Sequence, residues 1–353
     1  MLKLLGGKTM KDGKFTVGII GLDFGEWHLK AALEKELEIV GICDKRVDRL
    51  NYVGDKHGIP EEKRYTDYNE LLAIPELDIV VVATPDQLHR EMSVAALELG
   101  KNVLCEKPFA LTREDVTAMV QAANKEGNGK LMVGQVCRYN PGFMKAKELI
   151  DSGAIGELYY VESEYAHDYM RIVQGVTGWR ADPLRHGVIG GGCHAIDLLR
   201  WIAGDPEEVF AFGNHKLLPT IPTDDATISV LRFPNNVIGK VFVSTGCKRN
   251  YTMRSLFYGT KGTIIYEGSS EPLKLFTVDE KDDPIKTPQL FEFGDNSHNT
   301  GGEMAAFIDA IVNGKPIPTP AEEGAKTVAT CLAIIESAKT GEKVKPDYDF
   351  YND

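Results

Sequence analysis

Residues 103–108 read VLCEKP, and this stretch decides how the rest of the chain is interpreted. An apolar, strand-like run ends in a glutamate, a lysine and a proline. Lysine seldom lies at a buried strand end without a partner or a function, and Pro108 ends the hydrogen bonding of the strand. We therefore expect Lys107 at the carboxyl edge of a parallel sheet, where such proteins bind their ligands.

The composition is that of an ordinary globular protein with an acidic balance. The chain has 353 residues, of which 43% are hydrophobic and 26% charged, and this length suggests two domains. The net charge of -12 provides no basic footprint for nucleic acid or an anionic membrane. No segment has the length and apolarity of a bilayer span or a secretion signal. We expect neither a nucleic-acid nor a membrane partner.

The six cysteines are scattered through apolar runs and lack the tight spacing of a zinc or redox motif. Reduced thiols in the core are the expected state, which points to a cytoplasmic protein. Residues 1–13 are interpreted as a loose leader.

Strands and helices alternate regularly from residue 14 to residue 137, a pattern typical of a doubly wound parallel sheet. From residue 138 to residue 353 the pattern changes to alternating strands separated by short turns, with a few helices, which is typical of an antiparallel sheet. The predicted fold class is α/β. An N-terminal Rossmann domain, 14–137, precedes a C-terminal α+β domain, 138–353, with a large, mostly antiparallel open sheet.

The turn after the first strand resembles a degraded dinucleotide fingerprint. Gly21 and Gly25 are present, but Asp23 and Glu26 occupy the second and third glycine positions of G-x-G-x-x-G. An aspartate there adds bulk and negative charge near the pyrophosphate unless it points away. Taken alone, the turn is equally compatible with nucleotide binding and with a plain strand-to-helix connection.

Asp44 ends the second strand at the position of a carboxylate that binds the adenosine ribose, which favours NAD. Lys45 and Arg46 follow and could neutralise a 2′-phosphate, so NADP remains open. A cap on the next helix is the structural alternative for Asp44. A third strand ends at the same edge with Thr84 and Pro85. His89 follows one turn into a helix, and a histidine in such a place is more often structural than catalytic.

Lys107 has three possible roles: an ion pair with Glu106, a nucleophile, or a cation that stabilises a substrate alkoxide. The third role suits a lysine beside a nicotinamide, because an alkoxide develops as hydride leaves. Glu106 could anchor the nicotinamide ribose or hold the lysine.

In the second domain, three glycines, 190–192, precede His194 and the helix AIDLLRW. A histidine titrates near neutrality and can accept a hydroxyl proton. Asp197 lies on the same helix face and could merely orient His194. A metal site built from His167, Asp168, His186 and His194 matches no closed metal motif, so we expect no metal.

Several motifs stand in the order found in a known family. They are residues 17–33, VVVATPDQLH (80–89), GKNVLCEKPFALT (100–112), GQVCRYNP (134–141), GGGCHAIDLLRWIAG (190–204), YGTKGTIIYEG (258–268) and the tail 307–341. With these stretches the chain resembles the Gfo/Idh/MocA oxidoreductases over essentially its whole length. The combination of EKP with H-x-x-D-L-L is the specific part of this resemblance.

The resemblance implies a bound NAD, or NADP, and oxidation of a secondary hydroxyl of a sugar, glycoside or cyclitol, or the reverse reaction. It also implies a homodimer or homotetramer formed through the C-terminal sheet. Gly190 stands where the family commonly has an aspartate. By position, the resemblance assigns Lys107, His194 and Asp44. Together with the residues singled out from the sequence itself, the expected site residues are Lys107 and His194 for catalysis; Asp197, Tyr169, His167, Arg180 and Arg138 for substrate; and Gly21, Phe24, Gly25, Asp44, Lys45, Thr84, Pro85, His89, Glu106, Lys107, Gln135 and Trp179 for the cofactor.

Two other functions remain open at this point. One is a sugar-modifying enzyme that oxidises its substrate transiently and returns the hydride, with elimination, hydrolysis or epimerisation in between. The other is a non-catalytic regulator that senses NAD(P), which the aspartate in the pyrophosphate turn motivates.

Overall fold

The computed structural model describes residues 15–172, 178–268, 271–294 and 298–351. The chain forms two compact units. Unit 1 comprises the chain up to Gly134, Thr300–Ala325 and the chain from Phe350, and unit 2 comprises Gln135–Asn299 and Lys326–Asp349. The chain first passes from unit 1 to unit 2 between Gly134 and Gln135, close to the expected boundary at 137. The expected second domain, by contrast, included residues 300–325, which belong to unit 1. The expected leader, 1–13, lies outside the described residues.

The first half of the chain alternates strands and helices as expected. The elements are β1 (Thr16–Ile20), α1 (Gly25–Glu34), β2 (Glu38–Cys43), α2 (Val47–His57), β3 (Arg64–Tyr65), α3 (Tyr68–Leu72), β4 (Ile79–Val82), α4 (His89–Glu98), β5 (Asn102–Glu106), α5 (Arg113–Asn124), β6 (Leu131–Gly134) and α6 (Pro141–Asp151).

The second half contains the antiparallel strands of the described chain. Its elements are β7 (Leu158–Ala166), α7 (Tyr169–Ile172), α8 (Gly187–Gly190), α9 (Cys193–Ala203), β8 (Glu208–Asn214), β9 (Ala226–Arg232), β10 (Ile238–Ser244), β11 (Thr252–Gly259), β12 (Gly262–Tyr266), β13 (Leu273–Thr277), β14 (Gln289–Phe291), α10 (Thr300–Asn313) and α11 (Ala321–Thr340).

The sheet of unit 1 is parallel throughout and has the order β3-β2-β1-β4-β5-β6. The strands β1 and β4 are buried at every position, as expected for a sheet covered on both faces. The strand order reverses between β1 and β4, and ligands of such sheets bind at this switch point, beyond the carboxyl ends of the strands. The expected Rossmann architecture is confirmed.

Local interactions set the ends of two helices in unit 1. Thr112 caps α5 by accepting a hydrogen bond from the backbone N–H of Asp115, and Gly100 ends α4 with a φ of +72°. Leu99, just beyond α4, is 55% exposed, whereas the polar residues His89 and Ser93 lie on the buried face of this helix.

Unit 2 is built on an eight-stranded sheet in the order β14-β13-β12-β11-β7-β10-β9-β8. All neighbouring strands pair antiparallel except β10 and β7, which are parallel. Along β9 every second residue is buried, which is typical of a sheet with one covered face. The helix α9 packs against β7. The mostly antiparallel sheet agrees with the expectation.

Candidate functional site

The turn after β1 requires a glycine at its first position. Gly21 has a φ of +86°, and a Cβ there would lie 2.5 Å from the carbonyl oxygen of Ala83. Gly25 is the first residue of α1 and packs against Ile19. Phe24 immediately precedes this helix, and its ring contacts that of His28 edge-to-face. The turn thus brings backbone close to the switch point of the sheet, where a dinucleotide would fit.

The two acidic residues in this turn are both engaged by cations of the following region. Asp23 has a 56% exposed side chain and pairs with Arg46 at 2.9 Å. Glu26 pairs with Arg49, Lys56 and His57 at 2.7 to 2.9 Å. Burial would raise the pKa of Glu26, but these partners lower it to about 2. The carboxylates are therefore neutralised by neighbouring side chains.

Asp44, directly after β2, is held by four donors. Its carboxylate accepts hydrogen bonds from the backbone N–H groups of Leu22 and Arg46, at 3.0 and 2.9 Å, and from two nitrogens of the Arg46 guanidinium. Burial opposes ionisation, but these donors lower the pKa of Asp44 below its ordinary value. The helix-cap alternative is wrong, because the residue preceding α2 is Arg46 and no side chain caps it. Lys45 is exposed beside it.

The end of β4 provides the next group at this edge. The hydroxyl oxygen of Thr84 is buried and has no hydrogen-bond partner within the described residues. His89 is fully buried, and its two ring nitrogens face the carbonyl oxygens of Pro108 and Thr84, at 2.9 and 3.1 Å. Burial would lower the pKa of His89, but Cys105, Asp86 and the Pro108 carbonyl raise it to about 10. As an imidazolium, His89 can donate a hydrogen bond to both carbonyls and so link the loops after β4 and β5. This is the structural role considered from the sequence. A direct contact of His89 with the cofactor stays a prediction.

Lys107 follows β5 at the same edge and is partly exposed, with a cis peptide bond to Pro108. Glu106 does not pair with its ammonium group in the described structure. One carboxylate oxygen of Glu106 contacts Nε2 of His28 at 2.6 Å, and the other accepts the backbone N–H of Lys107 at 3.1 Å. The ion-pair alternative for Lys107 therefore finds no support, and its side chain remains available for a ligand.

In unit 2, His194 lies in the first turn of α9 and is 2% exposed. Its Nδ1 lies 3.4 Å from the sulfur of Cys137, and its ring is stacked on that of Tyr165, with centroids 6.2 Å apart. The Tyr165 hydroxyl is hydrogen-bonded to Nδ1 of His167 at 2.9 Å and to the Tyr169 hydroxyl at 3.3 Å. Burial raises the pKa of Tyr165 well above its ordinary value, so it keeps its proton.

This cluster extends through two more rings. Tyr251 contacts the rings of Tyr165 and His167, with centroids 5.7 and 4.7 Å away. His298 stacks on Tyr251 and contacts His194 edge-to-face. Aromatic rings beside a titratable imidazole provide both a surface for a carbohydrate ring and a proton acceptor.

Two residues that we expected to bind substrate, Arg138 and Asp197, are hydrogen-bonded to each other. Arg138 donates to both carboxylate oxygens of Asp197, which also accepts a hydrogen bond from the hydroxyl of Thr327. Both charged side chains are buried. Because these bonds occupy the carboxylate of Asp197, the alternative that Asp197 orients His194 finds no support. We interpret Arg138 and Asp197 as a structural ion pair, and a substrate contact of either residue stays a prediction.

The loop before α8 contains a stack of cations on an aromatic ring. The guanidinium carbons of Arg180 and Arg185 lie 4.1 and 4.9 Å from the ring centre of Trp179. Gln135, at the start of unit 2, is 1% exposed, and its side-chain carbonyl has no partner in the described structure. Cofactor contacts of Trp179 and Gln135 and a substrate contact of Arg180 stay predictions.

Comparison with known proteins assigns both halves of the chain to one group. Residues 15–135 match the "Oxidoreductase family, NAD-binding Rossmann fold", and residues 143–265 match the "GFO/IDH/MocA C-terminal domain". An uncharacterized oxidoreductase of Schizosaccharomyces pombe is 30% identical over 82% of this chain and 78% of its own length. The chain belongs to the Gfo/Idh/MocA family.

Other Gfo/Idh/MocA proteins are similar over nearly the whole chain. Myo-inositol 2-dehydrogenase of Thermotoga maritima is 28% identical over 93% of this chain and 98% of its own length. A solved structure of levoglucosan dehydrogenase in complex with NADH and levoglucosan is 25% identical and superposes with a TM-score of 0.83, covering 94% of this chain and 99% of that one. The expected family, the oxidoreductase class and the NAD cofactor are confirmed.

Gly190 stands where the resemblance to the Gfo/Idh/MocA family led us to expect an aspartate. The guanidinium of Arg185 lies beside it. A Cβ at Gly190 would lie 2.5 Å from Nη1 of Arg185. Nη2 of the same arginine donates to the Gly190 carbonyl at 3.4 Å. The buried guanidinium of Arg185 therefore occupies the space that a side chain at position 190 would take.

His167, Asp168, His186 and His194, the metal alternative considered from the sequence, form no set of metal-ligand atoms in the described part of the chain. Such a set does occur in unit 1, where His28, Glu106 and Glu303 each direct one atom to within 4.8 Å of the others. Sequence reasoning missed Glu303, although its spacing of four from Phe307 put it on the apolar face of α10. It also missed Tyr165, because a position on the strand β7 does not by itself indicate a functional residue.

Proposed function

We propose that this protein transfers hydride between a secondary hydroxyl of a sugar, glycoside or cyclitol and the nicotinamide of NAD. The observation that carries the proposal is the convergence of Gly21, Asp44 and Lys107 at the carboxyl edge of one parallel sheet. Relatives named for inositol and levoglucosan dehydrogenation support the substrate class.

The chain's own residues give unit 1 a preference for NAD. The Asp44 carboxylate, fixed by backbone N–H groups, can accept hydrogen bonds from ribose hydroxyls and would repel a 2′-phosphate. Arg46 is engaged by Asp44 and Asp23, which makes it a weaker partner for that phosphate. Gly21 lets the backbone approach the pyrophosphate, and the Thr84 hydroxyl supplies an unused hydrogen-bonding group at the same edge.

Bound NAD supplies the hydride acceptor, and two side chains of the protein manage the charge and the proton. Lys107 stabilises the alkoxide that develops on the substrate as a carbon–hydrogen bond breaks. His194 accepts the hydroxyl proton in oxidation and returns it in reduction. The rings of Tyr165, Tyr169 and Tyr251 offer apolar faces and hydroxyl groups to a carbohydrate.

We also infer that the protein forms a homodimer or homotetramer through the open face of the unit 2 sheet. Phe212, Ile228, Val230 and Ile238 lie on this face, and each is at least 43% exposed. A contiguous exposed apolar face of this kind marks an interaction surface. Analytical ultracentrifugation of the wild type and of V230E tests this inference, since a charge on the face should shift the mass toward the monomer.

A cytoplasmic location is part of the proposal. None of the six cysteines, all of which lie in the described part of the chain, forms a disulfide, and five are buried, as is usual in a reducing compartment. No helix in the described residues is both long and apolar enough to cross a membrane.

The experiment is a screen of the purified protein with NAD and a panel of sugars, glycosides and inositols, followed by the absorbance of reduced nicotinamide. At least one polyol should yield NADH in proportion to its concentration. If product forms from a sugar while NAD shows no net reduction, the enzyme is instead one that returns the hydride. If neither is seen with any compound, the proposal fails.

A further inference from the structure

A buried cysteine of unit 2 lies against the imidazole of His194. The sulfur of Cys137 is 3.4 Å from Nδ1 of His194, which is hydrogen-bonding distance for sulfur. The two residues are only 4% and 2% exposed. Inside a protein, a ring nitrogen needs a hydrogen-bond partner, because an unsatisfied one costs free energy. The sulfur is therefore a bonding partner of Nδ1.

The residue that follows Cys137 fixes the position of the sulfur. Cys137 and Arg138 belong to the one-turn helix Val136–Tyr139, just before α6. Arg138 donates to both carboxylate oxygens of Asp197, at 2.8 and 2.7 Å. Asp197 lies three residues after His194 on α9, so the two share one face of that helix. Two adjacent residues of one turn thus engage two residues of α9, and the bidentate pair keeps the sulfur beside Nδ1.

The two positions considered for a carboxylate beside His194 do not provide one. Position 190, where an aspartate was expected, is a glycine. The carboxylate of Asp197 is occupied by Arg138 and Thr327. A histidine that acts as a base commonly donates its other ring N–H to a group that fixes its orientation and its tautomer. A thiol is a weak hydrogen-bond acceptor, and in this chain it stands at that place.

The contact also identifies the ring nitrogen that takes part in proton transfer. Because Nδ1 faces the sulfur, the substrate hydroxyl transfers its proton to Nε2, while the hydrogen on its carbon leaves as hydride to NAD. Nε2 can accept that proton only if the neutral ring carries its own proton on Nδ1. The Nδ1–H group therefore donates to the sulfur both before and after the transfer.

The aromatic residues around His194 restrict its ring. Tyr165 from β7 stacks on it, and His298 contacts it edge-to-face and stacks on Tyr251. Burial raises the pKa of Tyr165 and of Tyr251 well above the ordinary value, so both hydroxyls stay neutral. The two tyrosines thus hold the imidazole in place without adding a negative charge beside it.

We propose that Cys137 is a positioning residue for proton transfer: its sulfur accepts the hydrogen bond from Nδ1–H of His194 and so keeps Nε2 available for the proton of the substrate hydroxyl. The inference rests on the proposed role of His194. The same contact stabilises the imidazolium that forms during oxidation, since a charged N–H group is a stronger donor than a neutral one.

The test compares C137A, which removes the acceptor, with C137S, which keeps a hydroxyl at this place. C331A removes another buried thiol of unit 2 and is the control for packing. With the best polyol from the screen, C137A should lower kcat by about tenfold, the scale of one lost hydrogen bond to a group that becomes charged. C137S should stay within about threefold of the wild type. C331A should match the wild type, and the dissociation constant of NAD should be unchanged in all three variants.

The pH–rate profile separates this role from a purely structural one. Loss of the acceptor disfavours the imidazolium, so the limb of the profile that H194N abolishes should move to lower pH in C137A, by about half a unit or more. The profiles of C137S and C331A should keep the position of the wild-type limb.

Nitrogen-15 NMR with labelled histidine tests the tautomer directly, and H194N identifies the resonances of His194. In the wild type at about pH 8, above the ordinary range of histidine titration, Nδ1 should carry the proton and Nε2 should be bare. The inference is overturned if Nε2 carries the proton, or if C137A keeps the wild-type kcat and pH profile while H194N is impaired. An H194N variant with full activity would instead overturn the proposed role of His194. If C137A does not fold, the tautomer of the wild type still decides.

Discussion

Two nitrogens of the Arg138 guanidinium donate to the two carboxylate oxygens of Asp197, at 2.8 and 2.7 Å, and the side chains are 7% and 1% exposed. Asp197 lies on the same helix as His194, and its bidentate pair with Arg138 holds this helix, α9, to the segment before α6. We interpret the pair as a support for α9 that does not contact substrate. A supporting role and a substrate-binding role predict different effects on stability and on KM.

Replacement of Asp197 by alanine should act mainly on stability. In D197A, Arg138 would lose the carboxylate that it pairs with and would remain buried and charged. Arg200, whose guanidinium lies 3.8 Å from Asp197, would also lose this neighbouring negative charge. Breaking a buried pair in this way costs about 3–5 kcal/mol in the free energy of unfolding. Urea unfolding of D197A measures the loss. A variant of wild-type stability with a strongly raised KM for substrate would restore the substrate-binding role expected from the sequence.

The Glu26 network predicts a pH-dependent stability. The pKa of Glu26 is lowered to about 2 in the folded chain, compared with 4.5 for the unperturbed group. Its contribution is therefore fully present above about pH 4.5 and is lost as the pH falls toward 2. E26Q should lower the free energy of unfolding by about 1 kcal/mol at pH 7, and the difference from wild type should shrink at about pH 3. E34Q, in an exposed pair with Lys30, is the control and should show neither effect.

Asp44 should set the choice of cofactor. D44S removes the ribose acceptor and releases Arg46 from its ion pair. We expect the affinity for NAD to fall about tenfold or more, the scale of a lost charge-assisted hydrogen bond, and that for NADP to rise. D23N, at an exposed position in the same turn, should change either affinity by less than about threefold. Fluorescence titration measures both cofactors. An unchanged NAD preference in D44S would contradict the assignment.

His194 should control proton transfer without affecting cofactor binding. H194N should lower kcat by about 10²–10⁴-fold, the usual contribution of a general acid–base group, and should abolish the corresponding limb of the pH–rate profile. The dissociation constant of NAD should remain that of the wild type. Retention of the wild-type pH profile in H194N would show that another group moves the proton.

Much of the fold could be predicted because its signals are local. The strands β1 and β4 are continuous apolar runs. Gly21, after β1, and Gly100, after α4, have a backbone conformation that favours glycine. The return of residues 300–325 to unit 1 could not be predicted. An apolar helix such as α10 carries no local signal for which of two cores it joins.

The site was predictable where a motif marks a residue and unpredictable where long-range pairing decides its role. Lys107 and Asp44 stand at strand ends that the sequence defines. The partners of Asp197 and Glu106 lie 59 and 78 residues away, and only the folded chain shows that both carboxylates are already engaged. The guanidinium of Arg185 beside Gly190 is likewise visible only in three dimensions.

The central claim is that Lys107 serves NAD-dependent hydride transfer on a polyol hydroxyl. The most direct measurement is single-turnover formation of NADH by the wild type and by K107M, with the best polyol from the screen and saturating NAD. We predict that the rate of the K107M variant falls by at least about a hundredfold, since one preorganised electrostatic group contributes about 10²–10³ in rate, while the dissociation constant of NAD stays unchanged. Equal rates of NADH formation in the two proteins would contradict the account.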